Sequence, residues 1–311
     1  MSSPATNGMV EVRCQPLSLD AESESTGERT WVVQEDVLTI EIEKVGVYSL
    51  MWTPTGNGVE AVGYTSEDGV LSNDGGEVPD ILALAAGFIF SEGMIGGLAD
   101  IDSMSVCQER PDVVSVRLAH PEPLIVSRRN VVINSSCGVC GGREQLDVAL
   151  SGEVSEPLGD TVRMSVADLA DIRSALQHSQ AVFRHTGGTH GAAMFDSNLN
   201  VVAIAEDLGR HNALDKVIGR RLLTGKEMSS GYGVFISSRI SYEMVAKAVR
   251  ARLEIVAAVS APSSMAIQLA DRHGITLCGF VRDRRATIYT HPHRIDARRL
   301  AEASLLPAQG I

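Results

Sequence analysis

Beyond about residue 130, short apolar runs alternate with amphipathic stretches, and this pattern restricts the fold of the chain more tightly than any other feature. AAMFD and NVVAIAED precede NALDKVIGRRLLTG. GVFISS then leads into SYEMVAKAVRA, EIVAAVSA into SSMAIQLADRHG, and ITLCGFVRD and ATIYTH close the series. Strands alternating with helices of this length predict an α/β sheet covered by helices on both faces. MSVADLADIRSALQHSQAVFRHT reads as one further amphipathic helix ahead of them. At 311 residues the chain is long enough for two domains or one large one.

The preceding part has another texture. Residues 1–30 are polar and rich in Ser, Thr and Glu, which predicts a flexible arm. Residues 31–130 carry half-buried strand patterns such as VLTIEIEKV and VYSLMW, which predict a small α+β N-terminal domain. Within it PDILALAAGFIFSEGMI reads as one helix, with Pro79 at its start and Gly96 and Gly97 past its end. Residues 131–305 would then form a larger three-layer α/β domain. The apolar run Ile81 to Phe90 has half of the roughly 20 residues needed to cross a bilayer. The N-terminus has neither the basic start nor the apolar core of a signal peptide, so the expectation is a cytoplasmic protein with no membrane contact.

A net charge of -12 and 4% aromatic residues argue against nucleic acid as a partner. The charge is unevenly spread. Residues 1–100 hold 3 basic against 17 acidic side chains, whereas residues 239–311 hold 11 against 6. A basic C-terminal segment on an acidic protein suits a pocket for a phosphorylated small molecule, although solvated arginines would give the same count.

Five cysteines include one close pair, in Ser135-Ser136-Cys137-Gly138-Val139-Cys140-Gly141-Gly142. The flanking glycines remove bulk, and Arg128, Arg129 and Arg143 could lower the thiol pKa from its usual ~8.5. Sulfur transfer needs such an arrangement: a thiolate attacks a donor persulfide, keeps the outer sulfur and presents it to an acceptor. A zinc site would need a second ligand pair, and Cys14, Cys107 and Cys278 are scattered singly. A thioredoxin-type pair would need a better helix start. Both remain open on the residues alone, as does a molybdenum-cofactor-binding chaperone whose cysteines are structural or hold metal. Cys278, inside ITLCGFV, reads as a core residue.

Four further segments carry polar chemistry. TGGTHGAA places Gly188 and His190 in a turn suited to close backbone approach, or simply in a helix cap. Glu206 to Lys216 packs Arg210, His211 and Asn212 among carboxylates, with Asn212 as a plausible helix cap; a ligand or a purely structural network would satisfy them. Ser238 and Arg239, and later Ser263, stand between an apolar strand and a helix, where backbone N–H groups bind anions. Phe280, Val281, Arg282, Asp283, Arg284 and Arg285 follow, with guanidinium groups suited to pyrophosphate.

In order, AAGFIFSEGMI, SSCGVCGG, TGGTHGAA, EDLGRHNALDKVIG, SSRISYEMVAKA, SAPSSMAIQLA and LCGFVRDRRATIYTH resemble the formate dehydrogenase accessory sulfurtransferases, the FdhD/NarQ family, over roughly residues 80–292. The stretch from Trp31 to Gly76 departs from that pattern. The resemblance implies a homodimeric sulfurtransferase that accepts sulfur from a cysteine desulfurase. It would pass this sulfur to Mo-bis(molybdopterin guanine dinucleotide), the transferred ligand, before insertion into formate dehydrogenase. It implies Cys137 as persulfide carrier, Cys140 as helper or alternate carrier, Phe280 to Arg285 as cofactor-binding stretch, a cytidine-deaminase-like larger domain, and no tightly held metal. Deaminase chemistry itself is not expected. It needs His-x-Glu followed by Pro-Cys-x-x-Cys, whereas His190 is followed by Gly191 and Ala192.

Overall fold

The computed structural model describes residues 8–17, 27–55, 62–71, 78–107, 109–120, 132–133, 158–225 and 231–296. The chain opens with an antiparallel ribbon of β1 (Met9–Cys14) and β2 (Glu28–Val33), clipped by an ion pair from Arg29 to Glu11 at 2.7 Å. Part of the expected loose arm is therefore a paired strand. The alternation in MVEVRC spans only six residues, and its partner lies beyond a polar segment, so local pattern alone does not reveal it.

Next come β3 (Asp36–Ile42), β4 (Gly46–Trp52), β5 (Gly63–Thr65), β6 (Gly69–Leu71), helix α1 (Asp80–Ser91), β7 (Ile101–Cys107), β8 (Arg110–Leu118) and β9 (Val132–Ile133). The strands form one mixed sheet in the order β6-β5-β7-β8-β3-β4-β9. The alternation of β3 and β4 puts Leu38, Ile40, Tyr48 and Leu50 on the buried face.

Helix α1 is apolar on every side, which fits only an enclosed helix. Asp80 to Phe90 are all buried. The helix ends earlier than its sequence pattern suggests. Gly93 takes φ +80°, its N–H donates to the Phe90 carbonyl, and the Met94 N–H donates to the Ile89 carbonyl. This paired closure satisfies the last carbonyls, so Gly93, not Gly96 or Gly97, stops the helix.

The remaining elements are β10 (Met164–Ser165), α2 (Val166–Ser179), α3 (Ala181–Thr186), β11 (His190–Asp196), β12 (Val201–Asp207), α4 (Arg210–Leu223), β13 (Tyr232–Ile236), α5 (Tyr242–Arg250), β14 (Ile255–Ala258), α6 (Ser264–Arg272), β15 (Thr276–Arg282), β16 (Arg285–Thr290) and β17 (Ile295–Asp296). The sheet order is β12-β11-β13-β14-β15-β16, with β13, β14 and β15 parallel and the outer pairings antiparallel. One face, with Met194, Val234 and Val256, packs with α4, α5 and α6; the other, with Phe195 and Phe235, packs with α2. The fold is thus mixed α/β, with helices on both sides of the six-stranded sheet.

Two expectations change here. The helix expected from MSVADLADIRSALQHSQAVFRHT is two helices, broken at Gln180. Ser165 caps the first in a reciprocal box with Asp168, and the carboxylate of Glu206 accepts the Val182 and Phe183 N–H groups at the start of the second. Helix α4 starts at Arg210 after Gly209, so Asn212 lies inside it and is not its cap.

Helix α4 joins the two sheets. It lies against α1, and glycines at the crossing, Gly87 and Gly219, allow backbone to touch backbone. The apolar cluster that includes Leu38, Leu84, Val217 and Val256 is continuous from the first sheet to the second. Among the described residues no helix is long and apolar enough to cross a membrane.

Candidate functional site

Strands β12, β13, β14 and β15 deliver their carboxyl ends to one edge of the second sheet, and antiparallel β11 begins there. Helices α4, α5 and α6 follow three of these strands, so their N-termini gather at the same edge. Open α/β sheets hold ligands at such an edge, and helix N-termini supply donors for anions. The polar segments around His190, Arg210, Ser238, Ser263 and Phe280 therefore meet here. His190 is paired in register with Asp207. The Gly191 N–H donates to Ser237 Oγ at 2.9 Å. The Ile240 N–H donates to the Ala261 carbonyl, Ser263 N–H to that of Ile240, and Phe280 N–H to that of Ser260. Arg282 donates to the Val259 carbonyl at 2.8 Å.

The Glu206–Lys216 string divides by direction. Glu206, Asp207, Asn212, Asp215 and Lys216 turn inward. Asp207 accepts from Thr53 N–H, Gly209 N–H and Asn212 Nδ2. Asn212 also donates to the Met51 carbonyl at 2.7 Å, so its side chain braces α4 against the first sheet. Lys216 is fully enclosed and meets Asp207 at 2.9 Å and Asp80 at 3.5 Å, with its ammonium 5.2 Å from the Trp52 ring centre. Burial works against that ammonium, but Asp207 and Asp80 override it and hold its pKa above the ordinary lysine value. Asp215 forms a second enclosed pair with Lys247 at 2.8 Å. A structural network thus claims these five residues. Arg210 and His211 remain at the sheet edge, where both act electrostatically on His190.

His211 Nε2 lies 3.1 Å from Glu243 Oε2 across the gap between α4 and α5. That hydrogen bond, more than any other influence, holds the Glu243 carboxyl below its usual range. Burial, and then the positive charge of Arg210, depresses the pKa of His190; Asp207 opposes this without reversing it. The edge therefore presents at His190 an imidazole that is harder to protonate than usual, in the field of the Arg210 and Arg239 guanidiniums.

A profile of the FdhD/NarQ family matches residues 78–296. The chain belongs to that family. A sulfur carrier protein FdhD of Sulfurisphaera tokodaii is 39% identical over 212 residues, covering 68% of this chain and 79% of its own. One from Streptomyces avermitilis is 41% identical over 233 residues, covering 71% and 82%. A solved structure of a candidate formate dehydrogenase accessory protein from Desulfotalea psychrophila superposes with a TM-score of 0.66 over 93% of this chain and 99% of its own; at 22% identity it supports the fold alone.

Other site candidates fall in different places on this FdhD/NarQ frame. Cys137 and Cys140, with Arg128, Arg129 and Arg143, lie outside the described residues. Gly187, at φ +65°, ends α3, which is the capping role foreseen for this turn; Gly188 packs against Val33 of the N-terminal ribbon. Ser238 is buried and donates to the Arg239 carbonyl, while Ser263 caps α6 by accepting from Ala266 N–H at 3.3 Å. Phe280 is exposed at φ +51°, but Val281 is fully buried in the core facing α2. Asp283 pairs with Arg173 of α2 at 2.5 Å, and Arg284 and Arg285 are exposed. Cys278 is a core residue, and burial pushes its thiol up to about 12.

Sequence reasoning missed Arg173 and Gln180. They line a cavity of about 560 Å³ beside His190 and Ser237, between α2, α3 and the sheet edge. No motif marks them, because α2 reads as an ordinary amphipathic helix.

Proposed function

We propose that this chain is a sulfur carrier in formate dehydrogenase maturation. It would receive sulfur from a cysteine desulfurase as a persulfide on Cys137, with Cys140 as helper, and deliver it to Mo-bis(molybdopterin guanine dinucleotide). Loading is a thiolate exchange. The Cys137 thiolate attacks the outer sulfur of the donor persulfide, a new S–S bond forms on Cys137, and the donor's cysteine leaves as thiolate. The molybdenum compound is the substrate of the delivery step, and its phosphates suit the helix N-termini and the guanidiniums of Arg210 and Arg239. The chain would work as a homodimer in the cytoplasm, on a deaminase-like scaffold that has lost the acid/base glutamate.

One observation carries the reading. Loops distant in sequence, with Gly188 and His190, Arg210 and His211, Arg239, Ser263 and Phe280, gather at one sheet edge in a chain whose curated relatives are named sulfur carriers. The test is intact-mass measurement after incubation of the reduced protein with cysteine and a desulfurase. The mass of one added sulfur atom, lost in Cys137→Ala together with formate dehydrogenase maturation, is the expected result. Full maturation by Cys137→Ala would exclude Cys137 as the obligatory carrier.

A further inference from the structure

The N-terminal ribbon rests on the turn that leads into His190. Its register places Met9, Glu11, Trp31 and Val33 on one face and Val10, Val12, Thr30 and Val32 on the other. The first face meets α3 and the turn after it. A Cβ on Gly188 would lie 2.9 Å from Val33 Cγ1 and 3.2 Å from Val33 Cβ, so the ribbon sits where only glycine leaves room. That turn is held from its two ends. On one side the Gly188 N–H donates to Thr186 Oγ1 at 3.1 Å, and on the other Thr189 Oγ1 donates to Glu206 at 2.5 Å. Between them Gly187 takes φ +65° and Gly188 has no side chain, which makes this the softest backbone beside His190.

Root and arm of the ribbon differ. At the root Gly8 is buried at φ +79°, where a Cβ would lie 2.9 Å from Thr53 Cγ2 and 3.3 Å from Val182 Cγ2, and the Gln34 N–H donates to the Gly8 carbonyl at 2.8 Å. Along the arm, Arg29 bonds to Glu11 and Cys14 to Glu28, so these side chains hold the ribbon to itself. Val10 and Val32 stand opposite each other on the outer face, 44% and 38% exposed. A two-stranded ribbon has little stability of its own, and an element with so small an apolar seat opens locally more readily than the core strands.

We propose that the β1–β2 ribbon is a strap rooted at Gly8 and Gln34. Seated, Val33 pins the Gly187–Gly188 turn and restricts access to His190; lifted, the ribbon releases the turn and opens the sheet edge beside it. The bearing of this motion on sulfur delivery rests on the sulfur-carrier reading, whereas control of access to His190 does not.

Labelling of the full chain with diethyl pyrocarbonate, which acylates accessible imidazole nitrogens, tests the strap, with peptide mapping to read His190 against the exposed His178 of α2. Val33→Ala removes the contact on Gly188, and His190 is then labelled about fivefold faster or more while His178 is unchanged. Val33→Cys combined with Gly188→Cys locks the ribbon down. The two Cβ atoms stand 3.2 Å apart, just short of the span of about 3.5–4.5 Å usual for a disulfide. The oxidised pair slows His190 labelling about fivefold or more relative to the same protein reduced. Thermal melts confirm that each variant is folded, and the oxidised-against-reduced comparison decides alone if Val33→Ala does not fold. Equal labelling of His190 in the oxidised and reduced forms, no change or an equal rise at both histidines in Val33→Ala, or failure of the cysteine pair to cross-link overturns the strap. Persulfide loading of the wild type is followed by intact mass beside these measurements. Normal loading with labelling indifferent to the ribbon sinks the strap alone, whereas gated labelling without loading sinks the sulfur-carrier reading alone.

Discussion

Gly87 of α1 lies directly on the carbonyl of Asp215 of α4, and a Cβ at Gly87 would occupy the space of that carbonyl. Gly219 meets Ala83 in the same manner one turn along α4. Glycine within a helix costs about 1 kcal/mol relative to alanine, so both positions give up helix propensity for close approach.

Gly87→Ala is therefore expected to destabilise despite its better helix propensity. The added methyl meets backbone, which cannot rotate away, and the loss should reach about 3 kcal/mol, the upper end for overpacking. Urea titration measures it; a neutral or stabilising result would contradict the contact.

Lys216→Met should cost about 3–5 kcal/mol, because Asp207 and Asp80 would remain buried without their cation. The lysine also donates to the Thr53 carbonyl at 3.1 Å, so the loss reaches the first sheet as well as α4. Denaturant unfolding followed at Trp52, which packs over the ammonium, reports this directly.

His190 resists protonation in the folded chain. As pH falls below the ordinary histidine value of about 6.5, the unfolded chain takes up a proton that the folded site refuses, and stability declines until the depressed folded pKa is passed. Above about pH 6.5 the group contributes nothing. Melting temperatures from pH 8 to pH 5 should fall less steeply in His190→Gln than in the wild type. A single site sets a limit near 1.4 kcal/mol per pH unit.

Cys278 should remain unmodified by iodoacetamide at pH 8 in the native protein. Its pKa of about 12 leaves almost no thiolate, and the sulfur is enclosed. Cys14, which is partly exposed, should react under the same conditions. Peptide mapping separates the two, and denaturant should expose Cys278.

The alternation of strands and helices after residue 190 was legible because each element carries its own period, and every strand from AAMFD to ATIYTH lies where its apolar run predicts. Capping chemistry was harder to read. Gln180 breaks one long amphipathic pattern, and the carboxylate that starts the second helix comes from Glu206, which local patterning does not connect to it. Arg210 and His211 were identified together with Asn212, yet their directions differ. A polar residue on α4 points to the sheet edge or into the core according to where α1 and the first sheet lie, and that is a tertiary fact. Arg173 and Gln180 went unseen for a similar reason. Each has one side-chain nitrogen buried without a hydrogen-bond partner, and residue type does not reveal that.

The single apolar cluster running through α1 and α4 also constrains how such chains can recombine. A hybrid joining the first sheet of one homologue to the second sheet of another would inherit two helices never fitted to each other, with a methyl group facing a carbonyl wherever the glycines fall out of step. Genetic exchange within this lineage should succeed only where α1 and α4 travel together, although more than a hundred residues of sequence separate them.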